Sequence, residues 1–332
     1  MPSFPAARGS INASPSDIGR RLTVRYRDGF AKPEREAAGV LDRWTGGLAD
    51  GILQIRSRDG SELRIRAEDL VAAKVIEPEI SAYELQWLAE QAWPPMESQS
   101  LNGWELRASQ GATWRANSVR VAGRPPKSLA DTLRKVERWY AKFDVTPKLQ
   151  VPAPSGLDSE LDELGWTVAR TSRMMIASVS HLAATAGAAR SRSDLDIEVR
   201  DGQNPEWIRL IASYRPEAAQ EFDHIMDAPG PAAFVFCRNA DGVLLGAGRG
   251  LALGDWASIT NIDTLSQSRR EGIATAILAR LAQWAVEQNA KNWFLQVSAD
   301  NTAARAFYEK HGFVKHHRYQ YRSPTQSQPP GE

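Results

Sequence analysis

The chain reads as a mixed α/β protein in which two α/β regions follow a small all-β one. Three observations carry that reading. Residues 17–78 alternate apolar and polar positions in short runs, later segments alternate strand-like runs with helix-period stretches, and one helix–strand–helix pattern occurs twice. A length of 332 residues suffices for two or three cores, and 42% hydrophobic residues with 11 Trp against 24% charged residues describe a folded chain.

The first residues mix Pro, Ser, Gly and Ala, which predicts a disordered stretch over 1–16. Next, Leu22, Val24 and Tyr26, then Ile52, Leu53 and Ile55, then Leu63 and Ile65 alternate with polar neighbours, and "LVAAKVIEP" closes the region. With "RDG" at 27–29 and 58–60 as turn signals, residues 17–78 predict a small antiparallel barrel or sheet. Its arginines at 20, 21, 25, 27, 56, 58, 64 and 66 make either a nucleic-acid surface or the solvated face that alternation requires. Sparse aromatics and near-neutral charge favour the solvated face.

Residues 79–178 open with "ISAYELQWLAEQAWPP", where Tyr83, Trp87, Leu88 and Ala92 predict an amphipathic helix stopped by proline. "GWELRAS" and "ANSVRVAG" predict strands, and Leu129, Leu133, Val136 and Tyr140 give one apolar helix face. "PKLQVPA", the short helix "LDSELDEL" and a last strand "RMMIAS" follow. Residues 179–194 are rich in Ala, Ser and Gly and predict a linker, in part helical. In 195–322, "LDIEVRD", "AAFVFCR", "GVLLGAGRGLALG" and "WASITNIDTLS" predict strands, with the helix "NPEWIRLIASY" after the first. The helix 272–289 then presents Ile273, Ile277, Leu281 and Trp284 on one face, before the strand "WFLQVSA" and the helix "NTAARAFYEKHG". Residues 323–332 predict a tail.

The repeat lies between these two regions. Trp139, Gln150 and Gly165 are spaced by 11 and 15 positions, and Trp284, Gln296 and Gly312 by 12 and 16. Offsets that agree within one residue predict shared architecture.

Composition excludes several functions. The 41 Lys and Arg balance 40 Asp and Glu, so the formal net charge of +1 gives no overall attraction for nucleic acid or an anionic membrane. The only cysteine, Cys237 in "AAFVFC", predicts a small buried residue and rules out an intrachain disulfide. "HGFVKHH" lacks convincing partners for a metal site, so no metal is expected. No run is long enough for a membrane helix and the first residues lack the apolar core of a signal peptide, which makes the cytoplasm the expected location.

One stretch asks for an anion. In "SRREGIATAIL", residues 268–278, Arg269 and Arg270 precede a helix start, Gly272 lets backbone approach a ligand, and Ala274 leaves the next turn clear. Unpaired N–H groups and the helix dipole favour negative charge there. Neither the Walker phosphate loop nor the dinucleotide glycine fingerprint occurs.

"RREGIA" resembles the first signature of the GCN5-related N-acetyltransferases, and "NTAARAFYEKHGF", which begins 33 positions after "SRREGIATAIL" does, resembles the second. The resemblance covers residues 195–322. It implies an acetyl-CoA-dependent N-acetyltransferase whose cosubstrate enters a gap between the fourth and fifth strands, "SITNIDTL" and "WFLQVS". It further implies pyrophosphate binding by Arg269, Arg270, Glu271, Gly272, Ile273, Ala274 and Thr275, and contact of Thr264, Leu265 and Asn301 with the pantetheine arm; Asn301 is equally a helix cap. Tyr308 is the implied acid for the leaving thiolate. Asp263 is the candidate base, with Glu198 and histidines 311, 316 and 317 as alternatives. Residues 79–178 look like a degenerate copy without a cradle, with Leu161 and Leu164 in the neighbourhood of the second signature and no counterpart of Tyr308.

"GWELRASQGATWRANSVRV" is similar to a segment of bacterial multidomain acetyltransferases with an N-terminal SH3-like barrel, which implies that 17–78 is such a barrel. Trp114 is expected to be structural, while Arg115 and Asn117 are either substrate contacts or polar core. The expected partners are acetyl-CoA and the amine of a small molecule or peptide, with neither nucleic acid nor membrane. The alternative is an inactive CoA-binding regulatory or scaffolding protein.

Overall fold

A computed structural model describes residues 11–18, 21–27, 33–57, 61–76, 80–110, 113–187, 194–201, 205–214 and 228–325. The chain divides into two units, Met1–Ile80 with Val314–His316 and Ser81–Phe313 with His317–Glu332.

The first unit is a sheet of β1 (Ile11–Asn12), β2 (Arg21–Arg27), β3 (Glu34–Thr45), β4 (Ile52–Arg56), β5 (Glu62–Arg66) and β6 (Leu70–Val75). The expected SH3-like barrel is corrected here: the order is β1-β6-β2-β3-β4-β5 and the sheet is open. Closure requires the edge strands to exchange hydrogen bonds around a common axis. Instead β1 supplies only two residues, paired in parallel with Ala73 and Lys74, and β5 pairs with β4. The alternation was read correctly, because Leu22, Val24, Leu41, Leu53 and Ile55 are fully buried on one face. The 12-residue β3 serves both neighbours by coiling at a register shift between Leu41 and Arg43. At Gly39 a Cβ would lie 2.3 Å from the Arg56 carbonyl oxygen.

The disorder expected over 1–16 is corrected for its last part, since Ile11 and Asn12 join the sheet; residues 1–10 lie outside the described residues, as do 28–32 and 58–60, which hold most of the two "RDG" turns. Arg25 and Arg27 pair with Glu34, and Arg56 with Asp42, which is the behaviour of a solvated strand face.

In the second unit, the middle region runs α1 (Ala82–Ala92), β7 (Glu97–Leu101), β8 (Trp104–Ala108), β9 (Val119–Arg120), α2 (Leu129–Tyr140), β10 (Leu149–Ala153), α3 (Asp158–Glu163) and β11 (Trp166–Ser178). The C-terminal region continues with α4 (Val179–Gly187), β12 (Leu195–Arg200), α5 (Pro205–Tyr214), β13 (Ala232–Asn239), β14 (Leu244–Leu253) and β15 (Trp256–Thr264). It ends in α6 (Ile273–Glu287), β16 (Asn292–Ser298), α7 (Thr302–Lys310) and β17 (Val314–Pro324).

Both regions contribute to one 11-stranded sheet, ordered β12-β13-β14-β15-β16-β11-β17-β10-β9-β8-β7. The repeat is visible as topology. Three antiparallel strands, a helix, a parallel strand, a second helix and a last strand occur as β7–β11 and again as β13–β17. The last strands are exchanged: β11 pairs antiparallel with β16 of the other repeat, and β17 pairs antiparallel with β10. Sequence order gave no sign of this exchange.

Ser81 starts α1 with a capping box to Glu84. Its buried face is Leu85, Gln86, Ala89 and Ala92, one step round from the expected stripe, and Trp87 is 50% exposed. The α2 and α6 faces agree with their periodicity, with Leu129, Val136, Tyr140, Ile277, Leu278 and Leu281 fully buried. Close packing of α6 on the sheet depends on "GAGRG", where a Cβ at Gly248 would meet Ile277 at 2.8 Å and one at Gly250 would meet Trp284 at 2.9 Å.

Two further expectations change. The 179–194 linker begins as helix α4, with Val179 and Leu182 buried in the core that holds Ile277 and Trp293; 188–193 lie outside the described residues. The 323–332 tail is still ordered at its start: β17 reaches Pro324, the Ser323 hydroxyl donates to the Pro147 carbonyl, and the Thr325 N–H to that of Gly165.

Candidate active site

The site starts where two strands part. β15 and β16 pair in parallel at Trp256 with Asn292, Ala257 with Trp293 and Ser258 with Phe294, and pairing ends there. Beyond it, the facing edges Ile259–Asp263 and Leu295–Ser298 line a cleft of about 260 Å³. A bulge assists the divergence. The β14 register shifts between Ala247 and Arg249 opposite Asp263 and Thr260, and Asn261 sits at φ 48°. Three buried side-chain atoms at the cleft have no hydrogen-bond partner: Thr260 Oγ1, Asn261 Nδ2 and Gln296 Nε2. Burial of such groups is costly unless a ligand or water meets them.

A loop follows β15. The Leu265 N–H donates to the Leu245 carbonyl, and the Leu265 carbonyl accepts from the Ser268 N–H, so both backbone groups of Leu265 are engaged. Arg270 at φ 66° and Gly272 at φ 85° are left-handed, which turns successive N–H groups toward one side. Gly272 caps α6 without a side-chain bond, and the first backbone bond into the helix runs from the Ala276 N–H to the Gly272 carbonyl. The N–H groups of Ile273, Ala274 and Thr275 precede that bond. Arg269, Arg270 and Glu271 are exposed.

Across the cleft, Asn301 caps α7 by accepting from the Ala304 N–H at 3.0 Å. Tyr308 is held edge-on to Phe307 and Phe313, with ring centroids 5.2 and 5.4 Å away. Burial, and after it the Asp263 carboxylate, push its phenol well above the ordinary tyrosine range; Arg115 acts in the opposite direction. Tyr308 therefore stays protonated at neutral pH. Asp263, Asn301 and Tyr308 all line the cleft.

The alternative bases lie elsewhere. Glu198 is on β12 at the sheet's edge, bonded to Arg200 at 2.5 and 2.6 Å, and this contact holds its carboxyl below the usual range. His311 contacts the Phe307 carbonyl and Thr275, and His317 contacts Gln86. Among the described residues no group of three or more His, Cys, Asp and Glu is placed to hold a metal ion. Cys237 is buried.

The exchanged strands and the middle region complete the cleft. Arg115 lies over the Trp93 ring at 4.6 Å and Arg170 over Trp114 at 4.2 Å. Trp114 meets Tyr321 edge-on at 5.3 Å, in keeping with the structural part expected of it, and it also lines the cleft. Asn117 is polar core: its amide bonds the backbone of Ser109 and Thr113. Arg170 from β11, and Tyr319 and Tyr321 from β17, escaped the sequence reading because only the strand exchange brings them here. No helix among the described residues is long and apolar enough to cross a membrane.

Comparison with known proteins agrees with this geometry. The family described as "Probable histone acetyltransferase Rv0428c C-terminal" matches residues 80–322. The chain is 27% identical over 241 residues to the "Uncharacterized N-acetyltransferase YobR" of Bacillus subtilis, covering 71% of this chain and 96% of that protein. It is 28% identical over 214 residues to the "Probable histone acetyltransferase Rv0428c" of Mycobacterium tuberculosis, covering 60% of this chain and 61% of that one. Among solved structures, a GCN5-related N-acetyltransferase from Kribbella flavida superimposes with a TM-score of 0.58 at 15% identity, over 75% of this chain and 98% of that one. A tandem GNAT protein from the clavulanic acid biosynthesis pathway gives 0.55 at 12% identity, over 74% and 89%.

Proposed function

The chain belongs to the family of the Rv0428c C-terminal acetyltransferase and is an acetyl-CoA-dependent N-acetyltransferase; from that premise we propose a division of labour within the cleft. The loop and first turn of α6, from Arg269 to Thr275, hold the donor's pyrophosphate. Backbone N–H groups carry most of this contact, with Arg269 and Arg270 adding exposed charge. Thr264 offers its strand end to the pantetheine arm. Leu265 serves by shape alone, since its N–H and carbonyl are engaged. Asn301 borders the arm while it caps α7. The fit rests on the parted strands and the orphaned polar atoms at Thr260, Asn261 and Gln296.

Acetyl-CoA supplies the activated acyl carbon and a thiolate leaving group. The acceptor nitrogen forms its bond to that carbon as the carbon–sulfur bond breaks. Asp263 takes the ammonium proton, directly or through water, Tyr308 Oη gives a proton to the departing sulfur, and the second proton that the nitrogen sheds on becoming an amide restores the phenol. The phenol holds its proton at neutral pH, so the proton is present when the sulfur leaves.

The observation that carries the reading is the divergence of β15 from β16 beside a glycine-capped helix. Calorimetry with acetyl-CoA tests the cradle, and thiol release with amines, amino acids, peptide N termini and a histone-tail peptide tests transfer. Transfer to at least one amine is expected. Tight binding without transfer to any of them would establish the regulatory alternative.

A further inference from the structure

We infer that the acceptor is a small primary amine carrying a carboxylate within a few bonds of its nitrogen, and that Arg115 reads that carboxylate. The inference rests on the acetyltransferase reading of the same cleft.

Arg115 occupies the wall opposite the cofactor edges, in the turn between β8 and β9. Its guanidinium stacks at 4.6 Å over Trp93, and it lines the same cleft as Tyr308, Tyr319 and Tyr321. Arg170 stacks on Trp114 in the same wall, and Lys148 lies 5.3 Å from that ring on its own approach. Among the described residues neither Arg115 nor Arg170 forms an ion pair. Elsewhere in the unit Arg107, Arg120, Arg238 and Arg322 each reach a carboxylate, so a stacked arginine without one is a distinct arrangement. An arginine fork stacked on an aromatic plate, half-buried and without a protein carboxylate, is built to receive one from outside.

Sign narrows the acceptor. Among the described residues Asp263 is the one carboxylate lining the cleft, against Arg115 and Arg170. An amino-acid-like molecule satisfies both signs, with its ammonium toward Asp263 and its carboxylate on Arg115. A lysine-rich tail would bring positive charge against two arginines.

The test uses the full chain, acetyl-CoA and matched acceptors: amino acids including β-alanine and γ-aminobutyrate, their amides and decarboxylated amines, phosphoethanolamine, and a lysine-rich histone-tail peptide. The expected result is kcat/KM about 100-fold higher for the best free acid than for its amide. Arg115→Met should raise KM for the acid and bring the acid-to-amide ratio near one. Arg115→Lys should recover part of the ratio, and unchanged melting temperatures would show that both variants fold. Equal or faster turnover of the amide, the decarboxylated amine, phosphoethanolamine or the peptide overturns the carboxylate inference and leaves the acetyltransferase standing. Acetyl-CoA binding with no transfer to any acceptor overturns both.

Discussion

Helices α2 and α6 occupy the same place in the two repeats, yet they begin in opposite ways. α2 starts at Ser128, whose hydroxyl accepts from the Asp131 N–H, and Asp131 itself puts a carboxylate in the first turn. Its free N–H groups and dipole are thus answered from within the chain. α6 starts at Gly272, left-handed, with no side-chain cap and no acid in its first turn. One helix end is closed to anions and the other is left for one.

The strands beside these helices differ in the same sense. In the middle region β9 and β10 stay paired at Leu149 and Gln150, and beside them Arg107 of β8, 1% exposed, donates to the Ser118 carbonyl and hydroxyl and to Gln150 and pairs with Glu90. Tyr140 closes the network by donating to the Arg107 carbonyl. In the C-terminal region the corresponding edges part, and Thr260, Asn261 and Gln296 lack partners. One repeat has a self-satisfied polar core beside paired strands, and the other has partnerless polar atoms beside parted ones.

The largest test of this contrast is Arg107→Met. Removing the guanidinium leaves Glu90, Gln150 and Ser118 buried without it, and the loss should be about 3–5 kcal/mol in chemical denaturation. Acetyl-CoA affinity of the folded fraction should stay within about twofold, since this network serves structure alone. Tyr308→Phe is the converse. kcat should fall about 10²–10³-fold while acetyl-CoA affinity holds in calorimetry. Because burial and Asp263 raise the Tyr308 pKa, its proton is retained as pH rises, so wild-type activity should show no alkaline loss from this group below pH of about 10. Equal turnover by the phenylalanine variant would remove Tyr308 from catalysis.

Parts of this contrast could be read from the sequence and parts could not. The turn and helix start at the proposed cradle were legible because their residues lie close together in the chain: Gly272 for the turn, Ile273 and Ile277 for the core. Tyr308 was singled out through the resemblance of "NTAARAFYEKHGF" to a family signature, and it lines the cleft. Arg170, Tyr319 and Tyr321 were not, since either last strand could pair with either parallel strand and hydrophobic alternation is the same in both cases. Barrel closure failed for a similar reason. Alternation fixes which face of β2, β3 and β4 is buried, while closure depends on whether the edge strands meet, and β1 and β5 each pair elsewhere.

Gly272→Val sharpens the comparison from the other side. A β-branched residue at φ 85° is strained by about 1–2 kcal/mol and places methyl groups beside the proposed pyrophosphate site, so acetyl-CoA should bind at least about tenfold more weakly. Unchanged affinity would move the cradle away from Gly272.

The smallest effect belongs to the equivalent position of the middle repeat. Ser128→Ala removes the hydroxyl that answers the Asp131 N–H, and the loss of a helix cap costs about 1 kcal/mol. The Thr132 hydroxyl still donates to the Ser128 carbonyl, so α2 should keep its start, and a small drop in melting temperature is the expected change. Acetyl-CoA binding and turnover should be unaltered, because Asp131 remains in the first turn and repels an anion there. Any gain of a second acetyl-CoA site in Ser128→Ala, counted as calorimetric stoichiometry, would show that the cap alone had silenced the repeat and that Arg107's network had not.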